Sequence, residues 1–182
     1  IRIDPESGSL QAVTDFDLAA GVMAHEYGHV LGLRDLYDIE WTDAPSTPEK
    51  DSAGIGLWGL MGWGTTGWPG TPGPTSLSAW SRLRLGWAQP HLVSSAQDSV
   101  VLPPVAGNAD LVQIPLSVNE FYLVEYRRRD AYYDRGIPGE GLLIWHVSRA
   151  VVDGEIASWW DVDLESADGL WSDAAYPAGR EA

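Results

Sequence analysis

His25-Glu26-Tyr27-Gly28-His29-Val30-Leu31-Gly32-Leu33-Arg34-Asp35 is the stretch that decides how the first half of this chain folds. Its two histidines stand one helical turn apart, so their rings project side by side from an α-helix. Their nitrogens can then take two corners of a tetrahedron about 2.0–2.1 Å from one zinc ion without backbone strain. Glu26 follows the first histidine directly, which turns it away from ligation and lets it reach the attacking water as a proton acceptor. Gly32 permits a sharp reversal after the helix, and Asp35 can then bring a carboxylate oxygen to the metal as third ligand. Three protein ligands and one open position are the layout of a catalytic metal site.

Working outward, the spacing predicts a helix from about Thr14 to Leu31. Thr14 and Asp17 resemble a capping pair, with Asp15 and Asp17 placing negative charge at the positive helix end. Leu18 and Val22 continue at spacing four into His25 and His29, so one face passes from apolar packing to two imidazoles. A loop rich in Gly, Pro, Asp and Trp follows from about Asp38 to Pro74 and contains the tight segment Gly59-Leu60-Met61-Gly62. A second helix is predicted from Thr75 or Ser76 to Leu85, with Leu77, Trp80 and Leu83 on one face, packing under the first. From about Val100 the pattern turns to β-type runs at Val100 to Leu102, Leu111 to Leu116, Phe121 to Tyr126 and Leu142 to Val147. The last is apolar on both faces, as in a central covered strand.

Composition narrows the chemistry. The 182 residues are 45% hydrophobic and carry a formal charge of -15, with 26 acidic residues against 11 basic. Such a field repels phosphate backbones and anionic headgroups, which disfavours nucleic acid as a partner. No apolar run approaches the roughly 18 residues of a membrane span. Without cysteine, a transition-metal site has to come from the four histidines and the carboxylates. The chain opens at Ile1 without a basic leader, and is read as a piece of a longer protein.

Other residues admit competing readings. Asp38 is an alternative to Asp35 as ligand, or a partner that orients it. Glu49 sits at a separation suited to a thermolysin-like third ligand, but in a Pro-rich loop rather than the second helix that layout needs. His146 shares a strand face with Leu142 and Ile144, as a buried, hydrogen-bonded core histidine or as a substrate contact. His91 reads as a surface residue. Asp161, Asp163, Glu165 and Asp168 read as a solvated acidic loop or as oxygen ligands of a calcium site, without EF-hand spacing. Arg127, Arg128 and Arg129 read as a solvated strand end rather than a binding patch. Met61 suits a soft apolar floor beneath three ligands.

The segment His25 to Asp38, HEYGHVLGLRDLYD, resembles the immune inhibitor A-like metallopeptidases, a branch of the metzincin group whose third ligand position is Asp. Gly59-Leu60-Met61-Gly62 looks like that family's Met-turn, Thr75 to Trp87 like its following helix, and Gly139 to Val147 like its downstream strand. The resemblance implies an α+β, metzincin-like zinc peptidase catalytic domain: active-site helix, Met-turn and second helix, then a β-rich region. Residues 1–90 would be the zinc-binding part and 91–182 the β-rich part, with the upstream sheet lying before this stretch. It further implies a secreted zinc endopeptidase acting on proteins or peptides, with His25, His29 and Asp35 on the metal, Glu26 as general base and Met61 in the Met-turn. Where several metzincin branches place Tyr two residues after the Met, this chain has Trp63, which carries no hydroxyl. The alternative is a metal-stabilised, catalytically inactive binding or adhesion module whose many Trp residues contact a ligand.

Overall fold

The computed structural model describes residues 2–3, 10–11, 16–37, 54–68, 71–96, 99–137, 139–152 and 155–165. The architecture is α+β. Strands β1 (Arg2–Ile3) and β2 (Leu10–Gln11) pair antiparallel ahead of helix α1 (Phe16–Val30). Short 3-10 turns at Gly56–Trp58 and Trp63–Thr66 lead to β3 (Gly67–Trp68) and β4 (Thr71–Pro72), which pair antiparallel, and then to helix α2 (Ala79–Arg84). The rest is a five-stranded sheet in the order β5 (Gln89–Leu92), β6 (Asp110–Ser117), β7 (Glu120–Arg127), β8 (Gly141–Val152), β9 (Glu155–Leu164). β5 and β6 run parallel and every other pair is antiparallel, so the sheet is mixed.

Helix α1 ends where the sequence predicts. Gly32 has φ 91, its N–H donates to His29 O at 3.0 Å, and Leu33 N donates to Gly28 O at 3.0 Å. That pair of bonds is a Schellman stop, which needs a left-handed residue and so favours glycine. The packed face of α1 differs from the expected one. Val22 is 45% exposed, while Gly21, His25 and Gly28 are buried. The reason is space: a Cβ on Gly21 would run into the backbone oxygen of Thr65, and one on Gly28 would lie 2.5 Å from Met61 Sδ. Two glycines thus let the Met61 segment and the turn after it press against the helix, and apolar side chains face outward instead. Thr14 of the expected Thr14/Asp17 capping pair lies outside the described residues.

Helix α2 starts later than predicted. Ser78 caps it, its Oγ accepting from Ser81 N at 3.3 Å. Residues 75–77 stay out of the helix because their backbone groups are taken by tertiary partners: Thr75 N donates to Gly64 O, Ser76 N to Asp134, and Leu77 O accepts from Arg127. α2 packs on β7 and β8 rather than mainly under α1. Its Trp80 meets Phe121 of β7 and Trp160 of β9 at ring separations of 6.1 and 5.7 Å.

The buried face of the sheet follows period two. On β7 it takes Phe121, Leu123, Glu125 and Arg127; on β8, Trp145 and Val147; on β9, Val162 and Leu164. One hydrophobic cluster joins these to Ile55, Trp58, Trp68, Ala79 and Trp80 from the first half of the chain. The opposite face is open: Leu142 is 61% and Ile144 40% exposed, so β8 is interior in strand order but covered on one side only. The run at Val100 to Leu102 forms no strand. Asp161 and Asp163, read as part of an acidic loop, lie on β9, alternating with Val162 and Leu164. Glu165 follows the strand, and Asp168 lies outside the described residues.

Candidate metal centre

His25, His29 and Asp35 each offer one ligand atom, and these atoms lie within 4.8 Å of one another. Helix α1 presents the two rings at a centroid separation of 4.8 Å with planes at 88°. His25 Nε2 is 3.1 Å and His29 Nε2 3.5 Å from the same oxygen, Asp35 Oδ1. Among the described residues this is the one cluster of three or more potential ligands, and Asp161, Asp163 and Glu165 form no second one. Asp38 and Glu49, the alternatives to Asp35, lie outside the described residues.

The ring orientations are fixed from behind. His25 Nδ1 donates to Leu60 O at 2.8 Å and His29 Nδ1 to Leu33 O at 3.1 Å. A carbonyl oxygen can only accept, so each Nδ1 carries a proton, which leaves Nε2 as the ring nitrogen open to a metal. Both Nε2 atoms face Asp35 Oδ1, a buried atom with no hydrogen-bond partner. Three electron-rich atoms converging in a partly dry site repel one another unless a cation lies between them, so this donor set fits a divalent metal that accepts nitrogen and carboxylate oxygen. The carbonyls behind the two rings are the partners that such ligands ordinarily require.

Asp35 is held by its neighbour. Leu36 N donates to Met61 O at 2.9 Å, and Leu36 O accepts from Ile55 N at 2.9 Å, so the loop that carries Asp35 is pinned on both sides. The Met61 segment is a tight turn in which Gly62 N donates to Gly59 O at 2.9 Å. Met61 is fully buried against Gly28, between the two histidines in sequence, and its preceding residue supplies the carbonyl for His25. Glu26 is exposed on α1. Trp63 stands half-buried at the start of the turn after Met61.

Tyr37 is a member of the site that sequence reasoning passed over. Burial, then the charge of Asp35 and a hydrogen bond to it, and more weakly the charge of Glu26, raise its pKa above the ordinary value for a phenol. It therefore stays a protonated donor beside the Asp35 carboxylate. Its position two residues after Asp35 was the available signal.

The remaining expectations sort by burial. His146 is hydrogen-bonded, to Glu120 Oε1 at 2.8 Å, but its side chain is 31% exposed, so it is not a core histidine. It lies on the open face of the sheet, which explains the difference. His91 is exposed on β5. Arg127 is not solvated at all: it is fully buried, with Nη1 3.0 Å from Asp134 Oδ1 and Nη2 3.1 Å from Glu125 Oε1. Arg82 reaches Glu125 Oε2 at 2.8 Å, and Trp145 Nε1 donates to Glu125 Oε1 at 2.9 Å. Burial alone would lower the Arg127 pKa, but Glu125 and Asp134 more than offset it and hold it above the ordinary value. At Arg82 burial outweighs Glu125 and the pKa is lowered. The signal for this network was the period-two pattern of β7, which puts Glu125 and Arg127 on the face of Phe121 and Leu123.

Comparison with known proteins agrees with the motif. Residues 10–94 match the family model of the immune inhibitor A peptidase M6 catalytic domain. The pre-pro-metalloprotease PrtV, from two serotype O1 strains of Vibrio cholerae, is 41% identical over 72 residues, covering 38% of this chain and 7% of the relative. The chain thus spans a small part of the length of these curated relatives. No solved structure gives a significant match. No helix among the described residues is long and apolar enough to cross a membrane. The chain is similar to the immune inhibitor A metallopeptidase family over residues 10–94, the segment that carries His25, Glu26, His29, Asp35 and Met61.

Proposed function

We propose that this chain carries the zinc-binding part of a secreted metalloendopeptidase with a metzincin-like catalytic domain, hydrolysing peptide bonds of protein substrates. The observation that supports this best is the convergence of His25 Nε2 and His29 Nε2 on the unpartnered Asp35 Oδ1, with both Nδ1 atoms committed to carbonyls. His25, His29 and Asp35 would hold the metal, and Met61 would form the floor of the site. Zinc, when bound there, supplies Lewis-acid polarisation of the scissile carbonyl and lowers the pKa of the attacking water. Glu26 accepts the water's proton and returns it to the leaving amine. Tyr37 keeps Asp35 oriented through its hydrogen bond. Action outside the cell rests on the family likeness.

The test is reversible loss of hydrolysis on metal removal. Full-length protein dialysed against a chelator is expected to stop cleaving an unfolded protein substrate, and one equivalent of zinc to restore cleavage. Cleavage that survives chelation with the metal verifiably gone would defeat the proposal, and a folded, zinc-loaded protein that cleaves nothing would favour the metal-stabilised binding module.

A further inference from the structure

We infer that Asp134 and Arg127, which lie beyond the stretch matched by the peptidase family model, are positioning residues for His25. They act through a line of hydrogen bonds from the buried ion network of the sheet to the ring of the first candidate ligand. The inference rests on the reading of His25 as a metal ligand.

Every link has a donor and an acceptor in place. Asp134 Oδ1 accepts from Ser76 N at 3.3 Å. Ser76 O accepts from Leu60 N at 3.2 Å, and Leu60 O accepts from His25 Nδ1 at 2.8 Å. Arg127 braces the far end twice, with Nη1 on Asp134 Oδ1 at 3.0 Å and Nη2 on Leu77 O at 3.2 Å. The segment 76–77 is therefore gripped by its N–H and by its C=O, and it stays out of the helix that the sequence favours there. Leu60 spends its N–H on that segment and its C=O on the histidine. A displacement of the segment moves Leu60 O, and with it the acceptor that holds the His25 Nδ1 proton.

The line has a chemical consequence. Leu60 O fixes the His25 proton on Nδ1 and so keeps the Nε2 lone pair free for a metal. His29 lacks this dependence, because its acceptor, Leu33 O, lies within the same helix stop. The two histidines are thus supported independently, His29 by local structure and His25 by a sheet whose strand β7 begins about a hundred residues downstream.

The experiment compares Asp134→Ala, Asp134→Asn and Val147→Ala with wild type in the full-length protein. Val147 is fully buried in the same sheet but outside the line, so it controls for lost stability. Zinc affinity is measured by chelator competition, site geometry by the visible spectrum of the cobalt-loaded protein, and folding by the unfolding midpoint. Asp134→Ala is expected to weaken zinc about 10–100-fold and alter the cobalt spectrum, while Asp134→Asn, which keeps an Oδ1 acceptor for Ser76 N, recovers most of the affinity. Val147→Ala, compared at an equal distance below its own midpoint, is expected to bind like wild type. A folded Asp134→Ala with wild-type affinity, or an equal loss in Val147→Ala, overturns the inference. If the Asp134 variants do not fold, nitrogen NMR of metal-free wild type decides. An Nδ1-protonated His25 ring with a slowly exchanging proton supports the line, and an Nε2-protonated ring overturns it. A wild type that binds no zinc refutes the ligand reading itself, and the ring tautomer then still decides the hydrogen-bond line.

Discussion

Glu26→Gln in the full-length protein is expected to lower peptide hydrolysis by about 10²–10⁴-fold, the usual contribution of a positioned general acid–base group, while metal content stays at the wild-type level. The two readouts part because of where the residue stands. His25, His29 and Asp35 converge without it, and Glu26 lies exposed on α1 immediately after the first ligand. Glutamine keeps the shape and a hydrogen-bonding oxygen but cannot take a proton at neutral pH, so binding survives and chemistry does not. The measurement is turnover of an unfolded protein substrate beside elemental analysis of the same sample. Turnover near wild type would remove Glu26 from the role of base, and joint loss of metal and turnover would make it a structural residue.

Arg127→Ala is expected to cost about 3–5 kcal/mol of folding stability, the penalty for leaving a buried charge unpaired. Arg127 is fully buried and bonded to Glu125, Asp134 and the carbonyl of Leu77. Its removal leaves Glu125 to Arg82 and the Trp145 N–H, and Asp134 to the Ser76 N–H, with both carboxylates fully buried. The loss should exceed that at Arg128, whose ion pair with Asp130 at 3.0 Å is largely exposed and contributes about 0–1 kcal/mol. Denaturant unfolding of both variants measures the difference. Equal, small losses would show that the network tolerates water or repacking.

The parts of this molecule that were readable from sequence are those specified locally. The helix period and the glycine stop fixed α1 within about two residues, and the spacing from His25 to Asp35 brought all three ligand atoms together. Strands β6, β7 and β8 announced themselves by β-branched and aromatic runs. Strand β9 did not, because Asp161 and Asp163 on one face gave it the composition of a loop and hid the alternation of Trp160, Val162 and Leu164. Strand β5 is short, contains Pro90 and sits at the sheet edge, where neither length nor pattern marks it. The start of α2 differs from the expected one because Thr75 and Ser76 are good caps in isolation, while tertiary bonds to Gly64, Leu60, Asp134 and Arg127 hold that segment out of the helix. Arg127 was misread for a related reason: a run of three arginines looks solvated until a partner strand and a turn bring Glu125 and Asp134 around the first of them.

The most direct test of the account is the metal content of purified full-length protein, wild type beside Asp35→Ala, by elemental analysis after dialysis. The account predicts about one zinc per chain in wild type and its loss from a folded Asp35→Ala. A folded wild type without zinc, or an Asp35→Ala variant that keeps it, would contradict the site described here.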